Sequence, residues 1–152
     1  MEKAKKVFRS RISLLLSAIT LAIFVSVSIP IFQSGTYDGL HILGGTLFFI
    51  IFLFTGIRYI ISGERLYLKI WFIPMGSTNI ADMMSVKRSY NPLSSPAASL
   101  KRLRINFRSG ICWLISPAGE KRFIEELKAV NPDIEIDVAD RKGALRVWDW
   151  DI

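Results

Sequence analysis

Ile12 to Phe32 reads ISLLLSAITLAIFVSVSIPIF, 21 residues without a charged side chain. A helix rising 1.5 Å per residue needs about 20 such residues to cross the roughly 30 Å hydrocarbon layer of a bilayer. Leu40 to Ile57 reads LHILGGTLFFIIFLFTGI, and the apolar run resumes at Tyr59 to Ile61. Arg58 interrupts it near the end, where a long side chain reaches the headgroups. Two membrane-spanning helices are therefore expected, over about 12–32 and 40–61. The basic residues before Ile12 and the small residues Ser26-Val27-Ser28 also fit a signal peptide. The first run, however, exceeds the usual h-region of about 7–15 residues, and a second run follows closely, so an uncleaved anchor is the better reading.

The residues around the hairpin orient it. Gln33 to Gly39 is a short, turn-rich connection with no Lys or Arg. Lys3, Lys5, Lys6, Arg9 and Arg11 precede the first span, and Arg58, Arg65 and Lys69 follow the second. Positive charge on both outer flanks places both termini in the cytoplasm and the turn outside. The expectation is a multi-pass protein of the cytoplasmic (inner) membrane. His41, at the outer end of the second span, reads as an interfacial polar residue. Gly44, Gly45 and Gly56, with Ala18, Ala22 and Ser26, permit close approach of the two helices.

The 152 residues carry a formal net charge of +7, and 51% are apolar, concentrated before Ile61. The remainder is long enough to build a modest core of its own. A basic balance suits nucleic acid, an anionic membrane surface or an acidic partner without choosing among them. The single Cys112 and single His41 exclude a disulfide framework and leave little for a metal site. No nucleotide-binding glycine motif and no H-E-x-x-H is present. No cofactor is expected.

The expected organisation is a basic cytoplasmic N-terminus over 1–11, a two-helix hairpin over 12–61, and a cytoplasmic domain over 62–152. In that domain Arg65 to Phe72 alternates as a half-buried strand, and Pro74-Met75-Gly76 breaks it. Thr78 to Ser89 reads as one strand with a bend, and Asn91 to Ala98 as a Pro- and Ser-rich loop. Ser99 to Arg108 places Leu103, Ile105 and Phe107 on one face, opposite Arg102, Arg104 and Asn106. Ser109-Gly110 turns the chain into the strand Ile111 to Ile115. Ser116 reads as a helix N-cap with Pro117 at the first helical position. Phe123, Ile124, Leu127 and Val130 recur at helical spacing until Asn131-Pro132 ends the helix.

The run Ser94-Ser95-Pro96-Ala97-Ala98-Ser99-Leu100-Lys101-Arg102-Leu103 is followed by Ile115-Ser116-Pro117 and by Phe123 and Leu127 before Asn131-Pro132. These residues resemble the short bacterial PH-like domains of the SunI/YnzG type, over about 59–133. The resemblance implies a bent antiparallel sheet capped by a C-terminal helix, attached to N-terminal membrane helices. The whole would be a membrane α-helical hairpin plus an α+β domain. It implies no catalytic residues. Ser95, Pro96, Ala97, Ser99, Arg102, Leu103, Ser116, Pro117, Phe123 and Leu127 match the pattern as structural positions, and Arg102 has a role in bonding the Pro96 loop. One role known in the family is immunity against a bacteriocin. The extension from about 134 lies outside the resemblance.

Catalysis is not expected. A serine nucleophile needs a base of lowered pKa, and Lys101 on an exposed basic surface would not supply one. Glu125-Glu126 reads as a solvated helix surface. Lys87, Arg88, Lys101, Arg102, Arg104 and Arg108 lie in a stretch without Asp or Glu. Lys87, Arg88, Lys101, Arg104 and Arg108 are the candidate surface for anionic lipid headgroups or a protein partner, against an ordinary solvated face. Nucleic acid is disfavoured because a tether holds the domain at the membrane. Trp148 and Trp150 either anchor a partner or pack on the sheet. The expected function is non-enzymatic: a membrane-anchored module for protein or anionic-lipid contact, with immunity as a version resting on resemblance. The alternative is an accessory or regulatory subunit of a larger membrane complex, in which the hairpin is the working part.

Overall fold

The computed structural model describes residues 5–35, 37–89, 99 and 101–139. Two long helices occur as expected, α1 (Leu14–Ser34) and α2 (Asp38–Gly56). Their apolar side chains mostly face outward; Ile23, Phe32, Ile42, Phe48 and Phe49 are all more than half exposed. Both helices are long and apolar enough to span a membrane. Their hydroxyls turn back onto carbonyls four residues earlier: Ser17 to Ser13, Ser26 to Ala22, Ser28 to Phe24, Thr46 to Ile42 and Thr55 to Ile51. Each polar group is thereby satisfied within its own helix, as a hydrocarbon surrounding demands.

Two four-stranded sheets follow the order β1-β2-β3-β4 and β7-β6-β5-β8. The strands of the first are β1 (Lys6–Arg9), β2 (Ile57–Ser62), β3 (Arg65–Ile70) and β4 (Ile73–Asn79). Those of the second are β5 (Met83–Ser89), β6 (Arg102–Phe107), β7 (Cys112–Ile115) and β8 (Glu135–Asp137). All neighbours pair antiparallel except β5 and β8. The helix α3 (Glu120–Val130) lays Phe123 and Leu127 into the shared core, both fully buried beside Tyr59, Leu66, Ile105 and Ile115. Phe8 and Tyr59 meet the Phe123 ring edge to face at 5.1 and 6.3 Å. The expected architecture stands: two apolar helices, then a bent antiparallel sheet with a C-terminal helix.

Several boundaries differ from expectation. The second span ends at Gly56, not Ile61, and Ile57 to Ser62 is the buried second strand of the sheet. Ile57, Tyr59 and Ile61 are buried on one face and Ile60 on the other, between the partly buried Arg58 and Ser62, so hydropathy alone merges the strand with the helix. The sheet domain therefore starts at 57 rather than 62, and it also takes in Lys6–Arg9, expected to belong to the basic N-terminus over 1–11. Pro74 does not end a strand. It lies in β4 at the edge of its sheet, where a missing N–H costs no ladder bond.

Thr78 to Ser89 is two strands split by a single 3-10 turn at Ile80–Asp82, capped by the Asn79 side chain. Ser116 is not the N-cap. Ser10 and Pro117 form a β-bridge, and α3 starts from Gly119 at φ +84°. Ser95, Pro96, Ala97 and the Trp148-Trp150 tail lie outside the described residues.

Candidate functional site

The ladder fixes which end of the domain meets the helices. Ile57 follows Gly56 directly, and Trp71, opposite it across β2 and β3, bonds Gly56 O through its N–H at 2.8 Å. Ser10 N–H donates to Ile57 O at 3.0 Å, and Arg11 N–H to Ser116 O at 2.7 Å. At this near end a small polar knot is buried. Ser116 N–H donates to the Tyr59 hydroxyl at 3.1 Å, and the Ser10 and Ser116 hydroxyls are 3.0 Å apart. The opposite end is marked by Glu64 O accepting from Ile80 N–H, Asp82 O accepting from Arg108 N–H, and Asn131 reaching Ile80 O.

Of the cations picked out in the sequence, Lys87, Arg88, Lys101, Arg104 and Arg108, Lys87 and Arg104 are direct partners across β5 and β6, while Arg88 is drawn into the fold. Arg88 is mostly buried, and its guanidinium donates two 2.6 Å bonds to the Glu120 carboxylate. It is a structural pair, not a free contact residue. Lys87 lies 3.8 Å from Glu135 on an exposed edge. Arg104 donates to Asn106 Oδ1 at 3.0 Å, and exposed Arg108 sits at the end remote from the helices. The stretch lacks acids in sequence, but α3 and β8 bring Glu120 and Glu135 onto it in space.

The residues matching the family pattern are structural where described. Arg102 is buried and donates from Nε to Ser99 O at 2.6 Å. Burial holds its guanidinium below the usual arginine value, a shift that Tyr59 opposes. Ser99 Oγ accepts from Lys101 N–H, so this serine is a turn residue. Leu103, Ser116, Pro117, Phe123 and Leu127 are all buried. Among the described residues no group of His, Cys, Asp and Glu is arranged to hold a metal.

A different basic feature lies near the helices. An open cleft of about 560 Å³ runs between β1 and the start of α3, lined by Lys5, Lys6, Val7, Phe8, Arg9, Ala118, Gly119 and Arg122. Lys6 binds Glu126 across it, so Glu126 is engaged rather than simply solvated. Lys5, Arg9 and Arg122 are exposed and make no ion pair among the described residues. Ala118 N–H donates to Arg9 O, which brings the N-terminus of α3, with its partial positive charge, to the same end. Sequence reasoning had Lys5 and Arg9 only as orientation signals and did not reach Arg122. The hint was the alternation of Lys6, Phe8 and Ser10 against Lys5, Val7 and Arg9, a strand pattern in a segment too short to stand out.

No curated protein matches the chain. Residues 57–131, the segment from β2 to just past the end of α3, match the model of the bacterial PH domain family, and the bent sheet with its C-terminal helix is consistent with a PH-like domain.

Proposed function

We propose that this protein is a non-enzymatic, membrane-anchored PH-like module whose cleft between β1 and α3 holds anionic lipid headgroups at the cytoplasmic face of the inner membrane. The observation that carries the reading is the cleft that brings Arg9 and Arg122 together beside the junction with the two long helices, with Lys5 further along β1. A cation near an anionic leaflet contributes roughly 1 kcal/mol. The orientation is supported by the pairing of β1 with β2, since strands flanking a spanning hairpin can pair only on one side of the bilayer. Positive charge then assigns that side to the cytoplasm. A narrower version, drawn from the SunI/YnzG resemblance, is immunity against a membrane-active peptide. The contrasting reading is an accessory subunit working through its hairpin, for which stoichiometric membrane partners should survive purification in mild detergent.

The test uses the full chain in phosphatidylcholine bilayers carrying a trace of spin-labelled phosphatidylglycerol or spin-labelled phosphatidylcholine. Phosphatidylglycerol should be enriched in the motionally restricted shell, and the enrichment should fall with salt as the Debye length shrinks from about 10 Å at 0.1 M to about 3 Å at 1 M. Lys5→Gln, Arg9→Gln and Arg122→Gln together should remove it, while Arg104→Gln with Arg108→Gln should not. Equal shells for the two lipids would overturn the proposal.

A further inference from the structure

The β3–β4 connection is the most exposed apolar feature of the sheet domain. Phe72 is 83% exposed, Ile73 52% and Met75 53%. The chain turns there at Trp71, which holds φ at +57°, a conformation costly for a bulky residue. Its indole explains why that conformation is kept. Nε1–H donates to Phe52 O at 2.7 Å, and the ring stacks on Phe52 at 4.9 Å and 13°. Phe52 in turn stacks on Phe48 one turn earlier in α2. Gly56 lets the indole in, because a Cβ there would fall 2.1 Å from Trp71 Cδ1. The guanidinium carbon of Arg58 lies 5.8 Å from the centre of the same ring. The outward apolar face of α2 thus runs through Phe48 and Phe52 to Trp71, the chain neighbour of the exposed Phe72.

We infer that the tip from Phe72 to Met75 is seated in the interfacial layer of the membrane that α1 and α2 span, as a third point of insertion. The inference rests on the spanning hairpin and not on the headgroup cleft. Continuity with the lipid-facing surface of α2 selects lipid as the occupant. An aromatic next to a cation at the end of a span is the chemistry of the headgroup boundary, where the indole is amphipathic and the charge meets phosphate. Edge-to-edge pairing with a second copy is disfavoured by the strand itself. Pro74 removes a donor from the β4 edge, and the register shift after Leu68 pairs Leu68 with Gly76 and Lys69 with Pro74, leaving Met75 as a bulge. A bulge at that point turns side chains out of the sheet, and Met is a side chain that adapts to a fluid surrounding.

The experiment uses the full chain with Cys112→Ser, a bimane label on one introduced cysteine, and reconstitution in phosphatidylcholine vesicles with and without phosphatidylglycerol. The labels go on Phe72→Cys, on Phe48→Cys within α2, and on Ile111→Cys at the remote end of the domain; Met75→Cys repeats the first if it folds poorly. Nitroxide-bearing lipid should quench labels 48 and 72 several-fold more than label 111, and aqueous acrylamide should show the reverse order. The result at 72 should not depend on phosphatidylglycerol or on the Lys5, Arg9 and Arg122 replacements, which separates it from the cleft. A label at 72 as open to acrylamide as the one at 111, with 48 in lipid, overturns the insertion alone. Protection of 72 from both quenchers means a protein covers the tip, and also overturns it. An aqueous 48 removes the spanning hairpin and the inference together.

Discussion

Phe48 and Phe123 are the same side chain in two different settings. Phe123 is fully buried among Phe8, Tyr59 and Leu127, whereas Phe48 is 71% exposed on a helix that touches its neighbour sparsely. Between α1 and α2 run apolar grooves of about 230 and 220 Å³, one lined by residues such as Phe24 and Leu43, the other by Leu21 and Phe54. The sheet domain closes its core because water drives apolar surface together. A hairpin among acyl chains would have no such drive, since they are as apolar as leucine. One chain thus carries a closely packed unit and a loosely packed one, and the loose unit is long and apolar enough to span a membrane.

That contrast can be broken by substitution. Unfolding is best followed by hydrogen exchange of the β6 amides in the reconstituted full chain. Phe123→Ala should cost the sheet domain about 3–5 kcal/mol, while Phe48→Ala should leave β6 protection unchanged. Equal effects would mean that the hairpin and the sheet share one cooperative core. Glu120→Ala should cost a similar ~3–5 kcal/mol by stranding the buried Arg88 guanidinium, whereas replacing both partners with apolar residues should cost less. Gly56→Ala tests the seam between the regions. It should cost about 1–3 kcal/mol by expelling the Trp71 indole, and adding Trp71→Ala should make the two changes non-additive. Smallest of all, Arg104→Gln should fall within about 0.5 kcal/mol of the parent, as expected for a solvated side chain. Topology gives an independent check: a reporter after Ile152 and a labelled Thr36→Cys should report opposite sides of the membrane.

The two regions also differed in how readable they were. The two long helices were legible from the length of their uncharged runs, and the β6–β7 hairpin, the helix ending before Pro132 and the inward set Leu103, Ile105, Phe107, Phe123 and Leu127 because each repeats a period over several residues. What misled was apolarity without a period. Ile57 to Ile61 reads equally well as the tail of a span or as a buried strand, and pairing with Lys6–Arg9 on one side and Arg65–Ile70 on the other decides it. Charge failed for a related reason. An acid-free run says nothing about acids that arrive from elsewhere in the chain, so Arg88 looked exposed when Glu120 had neutralised it. The cleft at Lys5, Arg9 and Arg122 joins residues more than a hundred positions apart, and no local window contains both sides of it.

The strands β1 and β2 are sequence neighbours in the sheet sense, an antiparallel pair, yet the connection between them is the whole two-helix hairpin. This has a consequence for biogenesis. Lys6–Arg9 leaves the ribosome before its partner Ile57–Ser62, and in a chain whose hairpin spans a membrane the two can pair only after α1 and α2 have crossed and returned. A chain whose second helix failed to return would strand β1 on one side and Ile57–Ser62 on the other. Phe8 would then be missing from its place against Phe123, and the β2 edge would stay open to proteases and chaperones. With a spanning hairpin, completion of the sheet would serve as an inspection of insertion, since only a correctly threaded molecule could close its own first strand.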